Sequence, residues 1–422
     1  MTGIGIIGAG ERGVYVIGTR IEESFADNGL YVHGIFDVNA ARAAEGRDYL
    51  AGIRGRKPES IVLFRDLDSL LADDAITTVV ITSYTSAHRD QALAALEAGK
   101  NVYLDKPIAA TVQDALDIRR AERESGMPMM MGFTRRYEPA WRTARQQVES
   151  GAIGPVQMIL LRSIIPYARY LQRWHRFGDL SGGALNDKCS HHFDVFRWFT
   201  SSEAVRVQAT AGRSAAFAPD PDAPARCRLC DRECPYRVLP SDTVSGTGIV
   251  HRLDKDYQTV GATRWQQESW LNPASDSDII DACVYHPDTD IWDYAVSTVT
   301  FASGAVATLF WNIFGPPADD QETLEIIGTS GRIVLERASG QVRVISGYGS
   351  SNETLYPDER LAGSHFGADA QLIRDISGLG GVGEPPASVS DGVEALRLVE
   401  ATRRSASEGG RPVRMEEIPR AT

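Results

Sequence analysis

Residues Gly182 to Asp194 read GGALNDKCSHHFD, and the last eight positions hold two aspartates, two histidines, a lysine and a cysteine. Side chains of these types bind a metal, move a proton, or simply crowd the polar face of a helix. Helix geometry separates the options. At ~100° per residue, Asp187, His191 and Asp194 fall within roughly 60° of one another, whereas Cys189 lies on the opposite side and His192 is well off the stripe. One metal ion cannot collect the whole cluster. Phe193, Val195, Phe196, Trp198 and Phe199 mark a helix that is also packed over much of its surface. A buried Asp and His one turn apart pair naturally, the carboxylate fixing the tautomer of an imidazole that takes up a proton. Asp187 and His191 are therefore the candidate pair, and Asp194 and His192 are assigned to tying the helix down.

Two further motifs lie upstream. GAGERG, residues Gly8 to Gly13, follows an apolar run and opens a helical pattern. Gly8, Gly10 and Gly13 supply a tight turn, close backbone approach to a pyrophosphate and close helix packing, with Glu11 and Arg12 at the helix N-terminus. The second apolar run ends in Asp37, an acid placed to accept hydrogen bonds from a ribose diol and to repel a 2′-phosphate. NAD is thus expected over NADP, with Arg42 on the helix surface. Ser83, Tyr84, Thr85 and His88 follow the fourth run. In VYLDKPIA, Asp105, Lys106 and Pro107 end the fifth, at the carboxyl edge where ligands sit in open α/β sheets. Arg135 and Arg136 follow the sixth and are expected to reach the nicotinamide or a substrate oxygen. Tyr167 and Trp174 have the aromatic faces that pack on a sugar ring, although core packing suits them as well.

These motifs need a scaffold that brings distant segments together. Up to about residue 132, GIGIIG, YVHGIFD, SIVLF, TTVVITS, NVYLD and MPMMMG alternate with amphipathic helical stretches, which means βαβ units and a parallel sheet. Afterwards come longer, partly alternating runs, VQMILLRSII, YAVSTVTF, AVATLFWNIF, RIVLERA and QVRVIS, several joined by Ser-Gly turns that predict hairpins. The expected architecture is a Rossmann domain over residues 1–134 and, over residues 135–422, an α+β domain with a large open, mainly antiparallel sheet. A Cys-rich insertion of loops and short helices occupies about residues 214–287, and SDGVEALRLVEATRRSAS forms a final helix.

Inside the insertion, CRLCDRECPYR places Cys227, Cys230 and Cys234 at C-x2-C-x3-C spacing, and Cys283 follows. Four thiolates would complete a closed, structural zinc site; an iron–sulfur cluster competes, and incidental thiols or a disulfide are the ordinary alternative. The 422 residues carry 43% hydrophobic and 24% charged positions, a globular composition too long for one ordinary core. A formal charge of −12 opposes a nucleic-acid partner. No run approaches the ~20 apolar residues of a membrane span, and MTGIGIIGAG lacks a basic leader, so a cytoplasmic protein is expected. Five cysteines, an odd number, suit a reducing compartment.

GAGERG at the N-terminus, LDKP where E-K-P is usual, and GGALNDKCSH where G-G-G-x-L-x-D-x-G-x-H is usual resemble the Gfo/Idh/MocA oxidoreductases. The likeness continues through RRYEPAW, SGAIGPV, FASGAVATL and GTSGRI. It implies an NAD(P)-binding Rossmann domain, a substrate between the second sheet and the nicotinamide, and Lys106, Asp187 and His191 as catalytic residues. Asp105 replaces the usual glutamate and Cys189 a glycine. The expected activity is hydride transfer between NAD and a secondary alcohol of a sugar, inositol or related polyol. The alternatives are an NAD-dependent glycosidase or lyase working through transient ring oxidation, and a non-catalytic sugar or nucleotide sensor. An open sheet face, if apolar, must be covered, so a homo-oligomer, dimer or tetramer, is expected.

Overall fold

The computed structural model describes residues 1–237, 281–315, 321–357, 364–381 and 385–420. Six strands, Thr2–Ile7 (β1), Leu30–Phe36 (β2), Val62–Leu63 (β3), Ile76–Ile81 (β4), Asn101–Asp105 (β5) and Met129–Gly132 (β6), form one sheet in the order β3-β2-β1-β4-β5-β6. Every pairing is parallel. Ile4, Ile6, Ile7, Val79, Val80 and Ile81 are fully buried, as strands covered on both faces must be. The order reverses between β1 and β4, which opens a crevice at their carboxyl ends.

A second sheet is built from Val156–Ile164 (β7), Ala204–Gly212 (β8), Tyr294–Phe301 (β9), Val306–Asn312 (β10), Glu322–Gly328 (β11), Arg332–Glu336 (β12), Gln341–Ser346 (β13), Ser351–Leu355 (β14) and Val413–Arg414 (β15). Its order is β14-β13-β12-β11-β7-β10-β9-β8-β15. Only β7 and β10 run parallel; the other pairs are antiparallel. The turns at Ser303-Gly304, Ser330-Gly331 and Ser339-Gly340 each close a hairpin. The helices Gly183–Thr200 and Val389–Ser407 pack together on one face of this sheet. The opposite face leaves Met158 54%, Leu160 47%, Phe310 43%, Val296 38% and Ile327 38% exposed.

Residues 238–280 of the insertion lie outside the described residues, so the loops and short helices expected there are not assessed. The two described ends meet at a bridge between Arg226 and Ala282, where the Cys227 amide donates to Asp281 O at 2.7 Å and Arg226 holds the buried Asp281 carboxylate. The expectation of zinc is not supported. Among the described residues no three His, Cys, Asp or Glu side chains are gathered around a common point. No disulfide links Cys227, Cys230, Cys234 and Cys283 to one another, and backbone and ion-pair bonds join the ends.

Candidate active site

The chain leaves β1 at Gly8, with φ +99°, where a Cβ would stand 2.7 Å from the Ser83 nitrogen. A Cβ on Gly13 would meet Gly8 O at 2.3 Å, but Gly10 has nothing within 4 Å. Two glycines thus close the turn onto the neighbouring strand, and the third leaves clear backbone before a helix N-terminus at Glu11 that no side chain caps. A pyrophosphate fits that cradle. Asp37, at the end of β2, accepts from the Ala9 amide at 2.6 Å and from Arg42 Nε and Nη2 at 3.0 and 2.6 Å. Arg42 is therefore buried against the acid and not on the helix surface, because it lies in the first turn of the helix Ala40–Ile53, directly after β2.

The other residues expected at the cofactor divide into two sets. Ser83 donates to Gln91 at 2.5 Å, and Tyr84 packs edge-on against Trp174 with ring centroids 4.9 Å apart. Glu11 lies 3.8 Å from Arg173. Behind them, Arg12 is paired with Asp105 at 3.2 Å and Asp369 at 2.9 Å. His88 is 1% exposed, with Nδ1 2.8 Å from Pro107 O and Nε2 3.3 Å from Ser83 O, beside buried Thr85. His88 thus ties the loop after β4 to the loop after β5 from within the protein.

Lys106 projects from the end of β5 to the helix Gly183–Thr200, where its Nζ donates at 3.0 Å to both Asp187 Oδ1 and Asp187 O. The Tyr170 hydroxyl donates to Asp187 Oδ2 at 2.5 Å. Burial would raise the pKa of Asp187, but the charge of Lys106, with the bonds from Lys106 and Tyr170, holds it at about 2. Asp187 therefore orients Lys106, where the sequence led us to expect it to orient His191. His191 lies against Phe133, ring centroids 5.8 Å apart, and its buried Nδ1 has no hydrogen-bond partner among the described residues. Burial, together with the charges of Lys106, Arg135 and Lys188, pushes its pKa well below the ordinary histidine value. A neutral imidazole results, ready to accept a proton.

Arg135 departs from its expected role. It is 2% exposed and bonded to Glu322 at 2.7 and 2.8 Å and to Glu138 at 2.8 Å, so its donors face these carboxylates and not a ligand. Arg136 likewise grips Asp194, at 3.0 and 2.6 Å. His192 is fully buried, and burial pushes its pKa down to about 4.

A row of aromatic rings borders the Lys106–Asp187 pair. Trp174 stacks on His175 at 3.9 Å, His175 meets Tyr170 at 4.7 Å, and Tyr170 meets Tyr167 at 5.5 Å. Both ends of the insertion brace this segment: Gln172 donates to Tyr236 O at 2.6 Å and accepts from the Ala282 amide at 3.1 Å, and Arg176 donates to Cys283 O at 3.1 Å. Sequence reasoning missed Tyr170 and His175. The density of aromatic and basic residues in PYARYLQRWHR was the available signal, and it did not say which would bond to Asp187.

Comparison with known proteins fits this geometry. A family profile described as an oxidoreductase family, NAD-binding Rossmann fold, matches residues 2–133, and its C-terminal α/β domain matches residues 145–415. YteT of Bacillus subtilis, named an oxidoreductase, is 26% identical over 369 residues, 81% of each chain. Inositol 2-dehydrogenase 1 of Saccharopolyspora erythraea is 29% identical over 247 residues, 58% of this chain and 65% of that enzyme. A levoglucosan dehydrogenase solved with NADH and levoglucosan has the same fold, with a TM-score of 0.71 over 99% of this chain and 100% of that one at 19% identity.

Proposed function

Since the chain belongs to the Gfo/Idh/MocA oxidoreductase family, we propose that it is an NAD-dependent dehydrogenase or reductase acting on a secondary alcohol of a sugar, inositol or related polyol. The observation that carries this reading is the Tyr170–Asp187–Lys106 chain beside a neutral His191, all at the carboxyl edge of the parallel sheet. Bound NAD would supply the hydride acceptor, held by Gly8, Gly10, Gly13 and Asp37. His191 accepts the hydroxyl proton in oxidation. Lys106, fixed by Asp187, donates to the carbinol oxygen as negative charge develops there. Tyr84, Trp174 and Tyr167 offer ring faces to the substrate. The names of the inositol and levoglucosan enzymes support the substrate class. The test is a screen of sugars and cyclitols with NAD. Net NADH formation supports net redox, and bond cleavage without it would replace this reading with the transient-oxidation alternative.

Preference for NAD rests on Asp37. Arg42 already stands against its carboxylate, so Asp37→Ser leaves a guanidinium without its acid beside the ribose position. The ratio of kcat/KM for NADP to that for NAD should rise by about tenfold or more; an unchanged ratio would remove Asp37 from the cofactor site.

The exposed apolar side chains of the second sheet support self-association. Met158 is registered beside Ile327, and Phe310 beside Val296, which makes a continuous patch of the kind that marks an interface. Phe310→Asp should reduce the mass found by light scattering to that of a smaller assembly, with circular dichroism unchanged. No helix among the described residues is long and apolar enough to cross a membrane.

A further inference from the structure

The helix Gly183–Thr200 carries a second lysine next to Asp187, close enough to Lys106 and His191 for their charges to interact. Lys188 is 7% exposed, and its Nζ sits 4.6 Å from the centre of the Tyr167 ring, at the end of the aromatic row remote from Trp174. Lysine is among the residues least often buried without a partner. Around it the charges are otherwise matched. Lys106 faces Asp187. Arg135 and Arg337 share Glu138 and Glu322. Among the described residues, no carboxylate lies within ion-pair distance of Lys188 Nζ and no hydrogen bond reaches it. A ring face is a weak substitute for an anion. Burial accordingly pushes the amine down to about 7, with Arg135, Arg337 and Lys106 acting in the same direction and Glu322 against it.

We infer that Lys188 binds an anionic group of the substrate, and that the substrate is a polyhydroxylated sugar acid carrying one carboxylate, in preference to a neutral sugar or cyclitol. The inference rests on the oxidoreductase reading and narrows its substrate class. One unmatched amine, which an adjacent anion would hold protonated, calls for one negative charge. A phosphate monoester, with a charge near −2, would leave a negative charge buried and unpaired, which is costly. The carboxylate is a spectator in hydride transfer, so nothing in the redox balance changes. Its bond to the ammonium fixes which hydroxyl faces Lys106 and His191. Tyr167 remains under the amine as a wall for the ring carbons.

The test pairs each acid with its neutral counterpart: glucuronate with glucose, galacturonate with galactose. NADH formation would be followed with the full-length protein, and binding of each sugar to the NADH-loaded protein measured by calorimetry. The acid should be preferred about tenfold or more in kcat/KM or in affinity. That ratio should fall toward one in Lys188→Gln and be retained in Lys188→Arg, which keeps the charge and so separates it from a packing role. Equal or better use of the neutral sugars by the wild type, or an acid preference that survives in Lys188→Gln, would overturn the inference and leave the oxidoreductase reading intact. Binding of NADH without binding of any sugar acid would also count against it. Failure to bind NADH would instead overturn the reading on which it rests.

Discussion

Replacing His191 with alanine is expected to lower kcat by about 10²–10⁴-fold, the range that a positioned general base contributes, while the Kd for NADH changes by less than about threefold. The two readouts separate because His191 touches Phe133 and the pocket and not the glycine turn or Asp37. A comparable loss of both would mean that the imidazole supports the packing of the crevice. The pH profile offers a second check. His191 accepts a proton only when neutral, and its pKa lies well below 6.5, so the acid limb of kcat/KM should fall below that pH. Above it the group is already deprotonated and contributes no further rise. Lys106→Met should give a loss of similar size through a different route, since it removes the donor to the developing alkoxide and leaves buried Asp187 with the Tyr170 hydroxyl as its remaining strong donor. An acid limb that stays in place in His191→Ala while activity persists would assign the base elsewhere.

The parallel sheet was legible in the sequence because its strands are buried on both faces, so GIGIIG carries no polar side chain and Val79, Val80 and Ile81 run unbroken within TTVVITS. In the second sheet β7, β9, β10, β12 and β13 were legible from their alternation, but β8 and β11 were not. Val207 and Ala209 of β8 alternate with Arg206 and Gln208, and Leu324 and Ile326 of β11 are flanked by Glu322 and Glu325. Each of these strands buries only two apolar side chains, too few to stand out beside the longer runs. At the candidate site, residue types and helix spacing singled out Asp187 and His191, and a strand-end position singled out Lys106, which the structure places against Asp187. The partners were not legible, because Asp187 is served by the end of β5 and by Tyr170, and Arg135 is claimed by Glu322 of an unrecognised strand. Arg42 shows the same limit at short range: the first turn of a helix aims a long side chain back at the preceding strand, and spacing alone leaves it on the surface. Cysteine spacing is a weaker guide for a related reason, since C-x2-C-x3-C is compatible with convergence on a metal but does not require it, and the described residues gather no such group.

Arg135→Leu should be the most damaging substitution for stability, costing about 3–5 kcal/mol, the range for breaking a buried ion pair from one side. Arg135 and Arg337 interlock with Glu138 and Glu322, at 2.7–2.9 Å for the direct bonds. The group joins the start of the helix Pro139–Glu149 to β11 and to the turn after β12, so it fastens the link between the two sheets. Removing Arg135 leaves two buried carboxylates facing one guanidinium. The surplus negative charge then has to be buried unpaired or neutralised by a proton, and either event lowers the denaturation midpoint. Burial alone would raise the pKa of Glu322, but Arg135 and Arg337 override it and hold the group well below 4.5. A depressed carboxylate contributes stability that is present above 4.5 and is lost as pH falls through its folded value. In Arg135→Leu the depression shrinks, so the loss relative to wild type should be largest near neutrality and diminish in acid as Glu322 is protonated in both proteins. Adding Glu322→Gln to Arg135→Leu should recover part of the loss, because it removes the charge left over. Urea melts of wild type, Arg135→Leu, Glu322→Gln and the double variant, made with and without NADH, decide the matter. A double variant no better than Arg135→Leu, or a single variant within about 1 kcal/mol of wild type, would show that the group is not what holds the two sheets in register.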